Sequence, residues 1–156
     1  MNPKILIVDD HQIVRQGVRS LLVDMRPEWE ICGEAENAAD ALRALNELDP
    51  DVMILDITMP GTSGLELAQK IQRMGLPAKM KILIFTMHHS ERLILDVRAA
   101  GAQGYVLKSQ AARDLVMAIE RIIGGGTFFG SPVEDGPENE PNPNLSIFFC
   151  RRFALA

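Results

Sequence analysis

The sequence predicts a doubly wound α/β fold, with five parallel strands in the order 2-1-3-4-5 and helices on both faces of the sheet. Short apolar runs and segments of helical periodicity alternate five times within about the first 125 residues. Uninterrupted apolar runs are typical of parallel strands, because helices bury both faces of such a sheet. The connections are short, and crossovers between parallel strands are right-handed by strong preference, which favours this architecture.

Each predicted strand is an apolar run that a polar residue or a turn ends. The five runs span residues 4–8, 30–36, 52–55, 81–85 and 104–107. The second run, EICGEAE, alternates more with polar residues than the others do, as expected of a strand at the edge of the sheet.

A helix is predicted after every strand, from apolar residues that recur every three or four positions. The five helical segments begin near residues 11, 38, 65, 90 and 109 and end near residues 25, 48, 74, 100 and 123. Asn37, Ser90 and Ser109 are expected to cap three of them, because their short polar side chains can accept hydrogen bonds from free amides. Residues that stop helices follow each segment: Pro27, Pro50, Gly75 with Pro77, Gly101 and Gly124.

The composition predicts a cytoplasmic globular protein. Of the 156 residues, 47% are hydrophobic and 24% are charged, which fits one domain with a short extension. No apolar run approaches the roughly 18 residues of a membrane span, and the start, MNPKILIVDD, lacks the pattern of a signal peptide. Two cysteines are too few for a disulfide framework. The formal charge of −5 disfavours non-specific binding to nucleic acid and fits an acidic pocket that holds a cation.

The composition changes after the glycines at 124–126, which places the expected domain boundary there. Residues 1–126 are predicted to form the folded domain, and residues 127–156 a linker-like tail. Residues 131–144, SPVEDGPENEPNPN, contain four prolines, four acids and three asparagines and have little to bury. We expect this tail to be irregular or disordered, and the last segment, LSIFFCRRFALA, is too short to form a domain.

Three carboxylates are expected to converge at one edge of the sheet. Asp9 and Asp10 end the first strand and Asp56 ends the third, and these two strands are neighbours in the predicted order. Left alone, the three charges would repel one another, so a divalent cation is expected among them, and oxygen ligands suit Mg²⁺. Two simpler interpretations stay open for single residues: Asp10 as a helix cap and Asp56 as a turn residue.

The ends of the last two strands add a hydroxyl and an ammonium group to the same edge. Thr86 closes the fourth strand, and Lys108 closes the fifth. A hydroxyl donor, a fixed cation and a metal together suit a phosphoryl group carried by Asp56. Taken singly, Thr86 could be an ordinary strand residue and Lys108 a solvated surface charge.

The order VDD, DITMPG, T and K on five strand–helix units closely resembles the receiver domain of two-component response regulators, over residues 4 to about 124. The resemblance implies a flavodoxin-like (βα)5 fold in which Asp56 is the phosphoacceptor. It further implies that Mg²⁺ (or Mn²⁺) is held by Asp10, Asp56 and the Thr58 backbone carbonyl, with Asp9 acting mostly through water. Lys108 and Thr86 would contact the phosphoryl group, and Tyr105 would turn inward in the switched state.

The same resemblance implies a signalling protein rather than an enzyme, with at most slow self-dephosphorylation. The phosphoryl donor would be a phosphohistidine on a sensor histidine kinase or phosphotransfer protein. The readout would be a changed surface made by the fourth helix, the fifth strand and the fifth helix. A homodimer is compatible with this scheme, and no membrane contact is expected.

Finer features resemble the NarL/LuxR-type subfamily: DDHQIVRQGVRSLL, TMH at 86–88, GYVLKS at 104–109 and GGGTFFGSP at 124–132. In that subfamily a linker leads to a helix-turn-helix DNA-binding domain. About 25 residues follow Ser131 here, fewer than such a domain needs. The chain is therefore interpreted as a receiver-only regulator or as a truncated or frameshifted transcription regulator, and DNA binding by this chain alone is not expected. Some receivers carry proline after this lysine, and the peptide bond before that proline is cis. Because serine makes the cis form costly, the isomer of the Lys108–Ser109 peptide bond is left open.

Other uses of this fold fit the sequence less well. A flavodoxin needs a glycine-rich phosphate loop after the first strand, but DDHQIV has no glycine. A dehalogenase-type phosphatase needs an acid two residues after its nucleophilic aspartate, but the residue two after Asp9 is His11.

Three further expectations concern aromatic side chains. His11 and His89 are expected to be solvated, His88 is expected to affect how readily water reaches the phosphoryl group, and Tyr105 could instead be half-buried with its hydroxyl in water.

Overall fold

The computed structural model describes residues 2–75 and 80–130. In this part of the chain, five strands alternate with five helices. The strands are β1 (Lys4–Val8), β2 (Glu30–Ala35), β3 (Val52–Leu55), β4 (Lys81–Thr86) and β5 (Gly104–Leu107), and the helices are α1 (Gln12–Met25), α2 (Ala38–Leu48), α3 (Gly64–Arg73), α4 (Glu91–Ala99) and α5 (Ala111–Ile123).

The five strands form one parallel sheet in the order β2-β1-β3-β4-β5, which confirms the predicted topology. The central strand β3 is buried along its whole length, and it pairs with β1 so that Val8 lies opposite Leu55. Because both strands end at this pair, the residues that follow them emerge side by side.

Two apolar layers cover the sheet, one on each face. On one face, α1 and α5 pack through Val18, Leu22, Leu115 and Ile119. On the other face, α2, α3 and α4 contribute Leu45, Leu67, Ile71 and Val97. Helices on both faces explain why the strands are apolar on both sides, as the sequence indicates.

Two of the three predicted helix caps are confirmed. The Asn37 and Ser90 side chains accept hydrogen bonds from the first turns of α2 and α4. The prediction for Ser109 is wrong. A 3₁₀ turn over Lys108–Gln110 follows β5, so Ser109 already has helical backbone, and α5 begins at Ala111 without a side-chain cap. An N-cap residue needs extended backbone ahead of the first helical turn, which this connection does not provide.

Other helix limits differ from the prediction by about one residue. The third helix begins at Gly64 with Ser63 as its cap, whose side chain accepts a hydrogen bond from the Glu66 amide. It ends at Arg73 before Gly75, which has a φ of +64°. Pro77, the other predicted stop, lies outside the described residues.

Gly64 allows the start of α3 to approach the end of β3 closely. A Cβ atom on Gly64 would lie 2.1 Å from the Asp56 carbonyl oxygen and 2.9 Å from the Ile57 Cα atom. The Gly64 amide also donates to the Ile57 carbonyl oxygen at 2.9 Å. Since backbone atoms cannot move aside as flexible side chains do, the loop that follows Asp56 can take this conformation only with glycine at position 64.

The packed fold continues past the predicted boundary at residue 126. Phe128 is buried and forms a parallel bridge with Gly104, and its carbonyl oxygen accepts a hydrogen bond from the Tyr105 amide at 2.7 Å. The rest of the predicted tail, residues 131–156, lies outside the described residues. Within the described ranges, no helix is both long and apolar enough to cross a membrane.

Candidate functional site

The ends of β1 and β3 bring together the acids that the sequence singles out. The Asp56 amide donates to the Val8 carbonyl oxygen at 2.9 Å, which holds the two strand ends side by side. Asp9, Asp10, His11 and Asp56 each offer one ligand atom, and these four atoms lie within 4.8 Å of one another. Three carboxylates and one imidazole therefore share a single crevice beyond the sheet.

Asp56 is a buried carboxyl group, with 3% of its surface exposed. Burial, and after it the charge of Asp9, raise the pKa of Asp56 to about 6, although the Lys108 ammonium opposes both effects. The Thr58 amide donates to Asp56 Oδ1 at 3.3 Å. The site thus holds a carboxylate in a position where its negative charge is unfavourable unless a cation comes close.

Lys108 supplies a fixed positive charge to the crevice. The residue is 5% exposed, and its Nζ donates to Asp9 Oδ2 at 2.8 Å. The same Nζ lies 3.5 Å from Asp56 Oδ1. A buried lysine between two buried carboxylates excludes the interpretation of Lys108 as a solvated surface charge. The described peptide bonds are all trans, including the one between Lys108 and Ser109.

Asp10 presents a carboxylate oxygen that the described residues do not satisfy. Its Oδ1 is buried and accepts no hydrogen bond from them. A hard divalent cation would bind this oxygen together with the two neighbouring buried carboxylates, because such ions prefer several oxygen ligands. The donor set at this edge of the sheet therefore fits a magnesium-type cation.

Thr86 and Tyr105 meet at His88, in the loop after β4. Thr86 is fully buried, and its hydroxyl oxygen accepts a hydrogen bond from the His88 amide at 3.2 Å. The Tyr105 hydroxyl donates to the His88 carbonyl oxygen. Tyr105 is 2% exposed, and burial raises the pKa of its hydroxyl, so it stays a hydrogen-bond donor at neutral pH. The alternative of a half-buried Tyr105 with its hydroxyl in water is therefore wrong.

Two residues, His11 and Arg15, contact the rim of the site in ways that the sequence did not predict. The expectation of a solvated His11 is incomplete, because its ring is half exposed but its Nδ1 lies 3.3 Å from Asp9 Oδ1 and 3.0 Å from Asp10 Oδ1. Arg15 donates from Nη1 to the Asp9 carbonyl oxygen at 2.5 Å and pairs with Glu34 at 3.2 Å. The position of His11 directly after the two acids was the available signal. The contact of Arg15 with β2 has no local signal.

Comparison with known proteins shows the same organisation in other sequences. Residues 5–120 match the family described as "Response regulator receiver domain". The nitrate/nitrite response regulator protein NarL of Escherichia coli is 35% identical over 121 residues, which are 78% of this chain and 55% of NarL. The response regulator UvrY of E. coli is 36% identical over 150 residues, which are 92% of this chain and 67% of UvrY. The chain spans about half the length of the first curated relatives it matches.

Solved structures with the same fold include two response regulators. One is a two-component response regulator of the LuxR family from an Aurantimonas species, with a TM-score of 0.77, 40% identity and coverage of 85% of this chain and 91% of that chain. Another is the isolated REC domain of RcsB from Salmonella enterica serovar Typhimurium, solved with the phosphomimetic BeF3⁻. It gives a TM-score of 0.76 at 30% identity, covering 84% of this chain and 95% of that chain. The flavodoxin-like fold and the resemblance to NarL/LuxR-type receivers are confirmed.

The raised pKa of Asp56 predicts that Asp56→Asn stabilises the protein in the absence of divalent cations. The folded state holds a proton on Asp56 up to about pH 6, whereas the unfolded chain releases it near pH 4, so wild-type stability falls as the pH rises between these values. Urea unfolding in EDTA should show the variant more stable by on the order of 3 kcal/mol at about pH 8, and by about half of that at about pH 5.

The matched control for this measurement is Asp24→Asn, which changes an exposed acid on α1. It should alter the free energy of unfolding by less than about 0.5 kcal/mol at either pH. An Asp56→Asn variant no more stable than wild type at about pH 8 would show that burial does not penalise this carboxylate.

Proposed function

The chain belongs to the response regulator receiver domain family, and we propose on that premise that Asp56 accepts a phosphoryl group. The observation that carries the proposal is the buried Asp56 carboxylate, held 3.5 Å from the Lys108 ammonium and beside Asp9 and Asp10. This family acts in signalling rather than in the turnover of metabolites. The chemistry of Asp56 is therefore a reversible modification that changes the protein itself.

The proposed donor is a phosphohistidine on a sensor histidine kinase or phosphotransfer protein. An Asp56 carboxylate oxygen attacks the phosphorus atom, a P–O bond forms, the P–N bond breaks, and the released imidazole nitrogen takes a proton. Such a transfer depends on positioning and charge stabilisation more than on covalent help from side chains. Thr58 contributes by holding Asp56 Oδ1 with its amide at 3.3 Å, which orients the nucleophile.

The cation proposed for this site is Mg²⁺, with Mn²⁺ as the equivalent ion. Asp10, Asp56 and the Thr58 backbone carbonyl would hold it, and Asp9 would act mostly through water because Lys108 already occupies its Oδ2. When bound, the ion would neutralise negative charge on the phosphoryl oxygens and on the carboxylates. The unsatisfied Asp10 Oδ1 supports the assignment.

The proposed output is a change in the surface made by α4, β5 and α5. A phosphoryl group on Asp56 would bring a dianion to Lys108 and to the Thr86 hydroxyl. Thr86 and Tyr105 share His88, through its amide and its carbonyl group respectively, so a movement of Thr86 alters the hydrogen bond that holds Tyr105. A two-state surface biased by one charge event fits this arrangement. A partner protein or a second copy of the chain would read it.

Acetyl phosphate and Mg²⁺ should convert the wild-type protein to a species heavier by one phosphoryl group, measured by intact-mass spectrometry. Asp56→Asn should give no such species, because the amide is not a nucleophile at neutral pH. EDTA should suppress the adduct on wild type, since the carboxylates then lack their counter-ion.

Asp24→Asn serves again as the matched control and should be modified as wild type is. Equal modification of Asp56→Asn, or an unmodified wild type under these conditions, would contradict the proposal.

Lys108→Ala should leave acceptance of the phosphoryl group largely intact and block the change in the surface made by α4, β5 and α5. We expect the adduct to form at a rate within about tenfold of wild type, a difference of about 1.4 kcal/mol in the barrier. The chemical-shift changes of Thr86, His88 and Tyr105 on phosphorylation should be lost, because the fixed cation that draws the phosphoryl group inward is absent. Two-dimensional NMR spectra with and without acetyl phosphate measure both effects.

The control for the switch is Lys70→Ala, which removes an exposed lysine from α3. It should leave the wild-type shift changes in place. Wild-type shift changes in Lys108→Ala would rule out the proposed role of Lys108.

A further inference from the structure

His11 is placed at the cation site by its own backbone. It precedes α1, its amide donates to Asp9 Oδ1 at 2.9 Å, and its carbonyl oxygen accepts from the Arg15 amide at 3.2 Å. These bonds fix the residue directly beside the two acids. The half-exposed ring can donate from Nε2 to water, which leaves Nδ1 available as an electron-pair donor toward the acids.

The spacing of the donor atoms suits shared coordination of one ion. In an octahedral complex with ligand distances of about 2.1 Å, adjacent ligand atoms lie about 3.0 Å apart. His11 Nδ1 lies 3.0 Å from Asp10 Oδ1 and 3.3 Å from Asp9 Oδ1. His11 Nδ1 and Asp10 Oδ1 are therefore separated as neighbouring ligands of one small cation would be, whereas the approach to Asp9 Oδ1 is a hydrogen-bond distance.

A hydrogen bond does not explain the shorter of these two approaches. Among the described residues, Asp10 Oδ1 accepts no hydrogen bond, although His11 Nδ1 lies only 3.0 Å away. The two atoms form an ion pair only if the imidazole is protonated, and beside a neutral imidazole the buried Asp10 oxygen has no hydrogen-bond partner among the described residues. A cation that takes one electron pair from each atom would satisfy both.

We propose that His11 Nδ1 is a direct ligand of the cation at Asp10 and Asp56, and that it makes this site prefer first-row transition ions over Mg²⁺. The inference rests on the proposed function, because it concerns the same cation site. Imidazole nitrogen binds Mn²⁺, Co²⁺ and Ni²⁺ with increasing strength, whereas Mg²⁺ favours oxygen and retains its water. The site thus accepts Mg²⁺ through its carboxylates and gains a nitrogen ligand with the softer ions.

The test uses the untagged 156-residue protein at mildly alkaline pH, which limits competition between protons and the cation for the ligand atoms. Calorimetric titrations with Mg²⁺ and with Co²⁺ compare wild type and His11→Asn. Asparagine is a favourable helix cap, so this variant keeps the start of α1. His89→Asn, which changes an exposed histidine after β4, is the matched control.

His11→Asn should weaken Co²⁺ binding at least about tenfold while changing Mg²⁺ binding by less than about threefold. His89→Asn should change neither affinity. A second readout is pulsed EPR of bound Mn²⁺, which should show coupling to a directly bound histidine nitrogen in wild type and lose it in His11→Asn.

Equal Co²⁺ affinity in wild type and His11→Asn, or no nitrogen coupling in wild type, would overturn the inference and indicate that His11 only pairs with the acids. If Mg²⁺ still binds and the phosphoryl adduct still forms, the proposed function stands and only the role of His11 fails. If Co²⁺ binds through His11 but Mg²⁺ does not bind, the inference stands and the Mg²⁺-dependent function fails. If neither ion binds wild type, both fail.

Discussion

The site depends on the electrostatic repulsion among the buried carboxylates at the ends of β1 and β3. Asp9 and Asp56 are nearly fully buried, and burial together with repulsion from Asp9 raises the pKa of Asp56 to about 6. Lys108 relieves part of the repulsion through its 2.8 Å bond to Asp9. Burial weakens the screening that water would provide, so each charge added to this crevice has a large effect. A cation or a phosphoryl group placed there changes the balance for the whole site.

The fold creates this repulsion through the order of its strands. In the order β2-β1-β3-β4-β5, the ends of β1 and β3 are neighbours, while the connections after them run to opposite faces of the sheet. The close approach of Gly64 to the Asp56 carbonyl oxygen keeps the following loop compact. β4 and β5 then place Thr86 and Lys108 at the same edge. The hydrogen bond from the Tyr105 hydroxyl to the His88 carbonyl oxygen connects β5 to the loop after β4.

The sequence predicts the strands and their polar ends because local patterns encode them. An uninterrupted run such as the one before Asp56 has few alternatives to a buried parallel strand. The interpretation failed at Ser109, where the chain forms a 3₁₀ turn and the adjacent Lys108 contacts Asp9, 99 residues earlier. The sequence also did not predict the contacts of Arg15 with Asp9, directly after β1, and with Glu34 on β2. Nor did it predict that Phe128 pairs with β5, because the three glycines before it resemble a domain end. These positions depend on tertiary contacts, which short-range periodicity does not encode.

Chemical trapping of the phosphorylated protein tests most directly that Asp56 is the site of a reversible acyl phosphate. Borohydride reduces an aspartyl phosphate to homoserine, and peptide mass spectrometry then locates the converted residue. After treatment with acetyl phosphate and Mg²⁺, we predict homoserine at position 56 alone, and none when the phosphodonor is omitted. Homoserine at position 9 or 10, or a phosphoryl adduct without homoserine at position 56, would contradict the account.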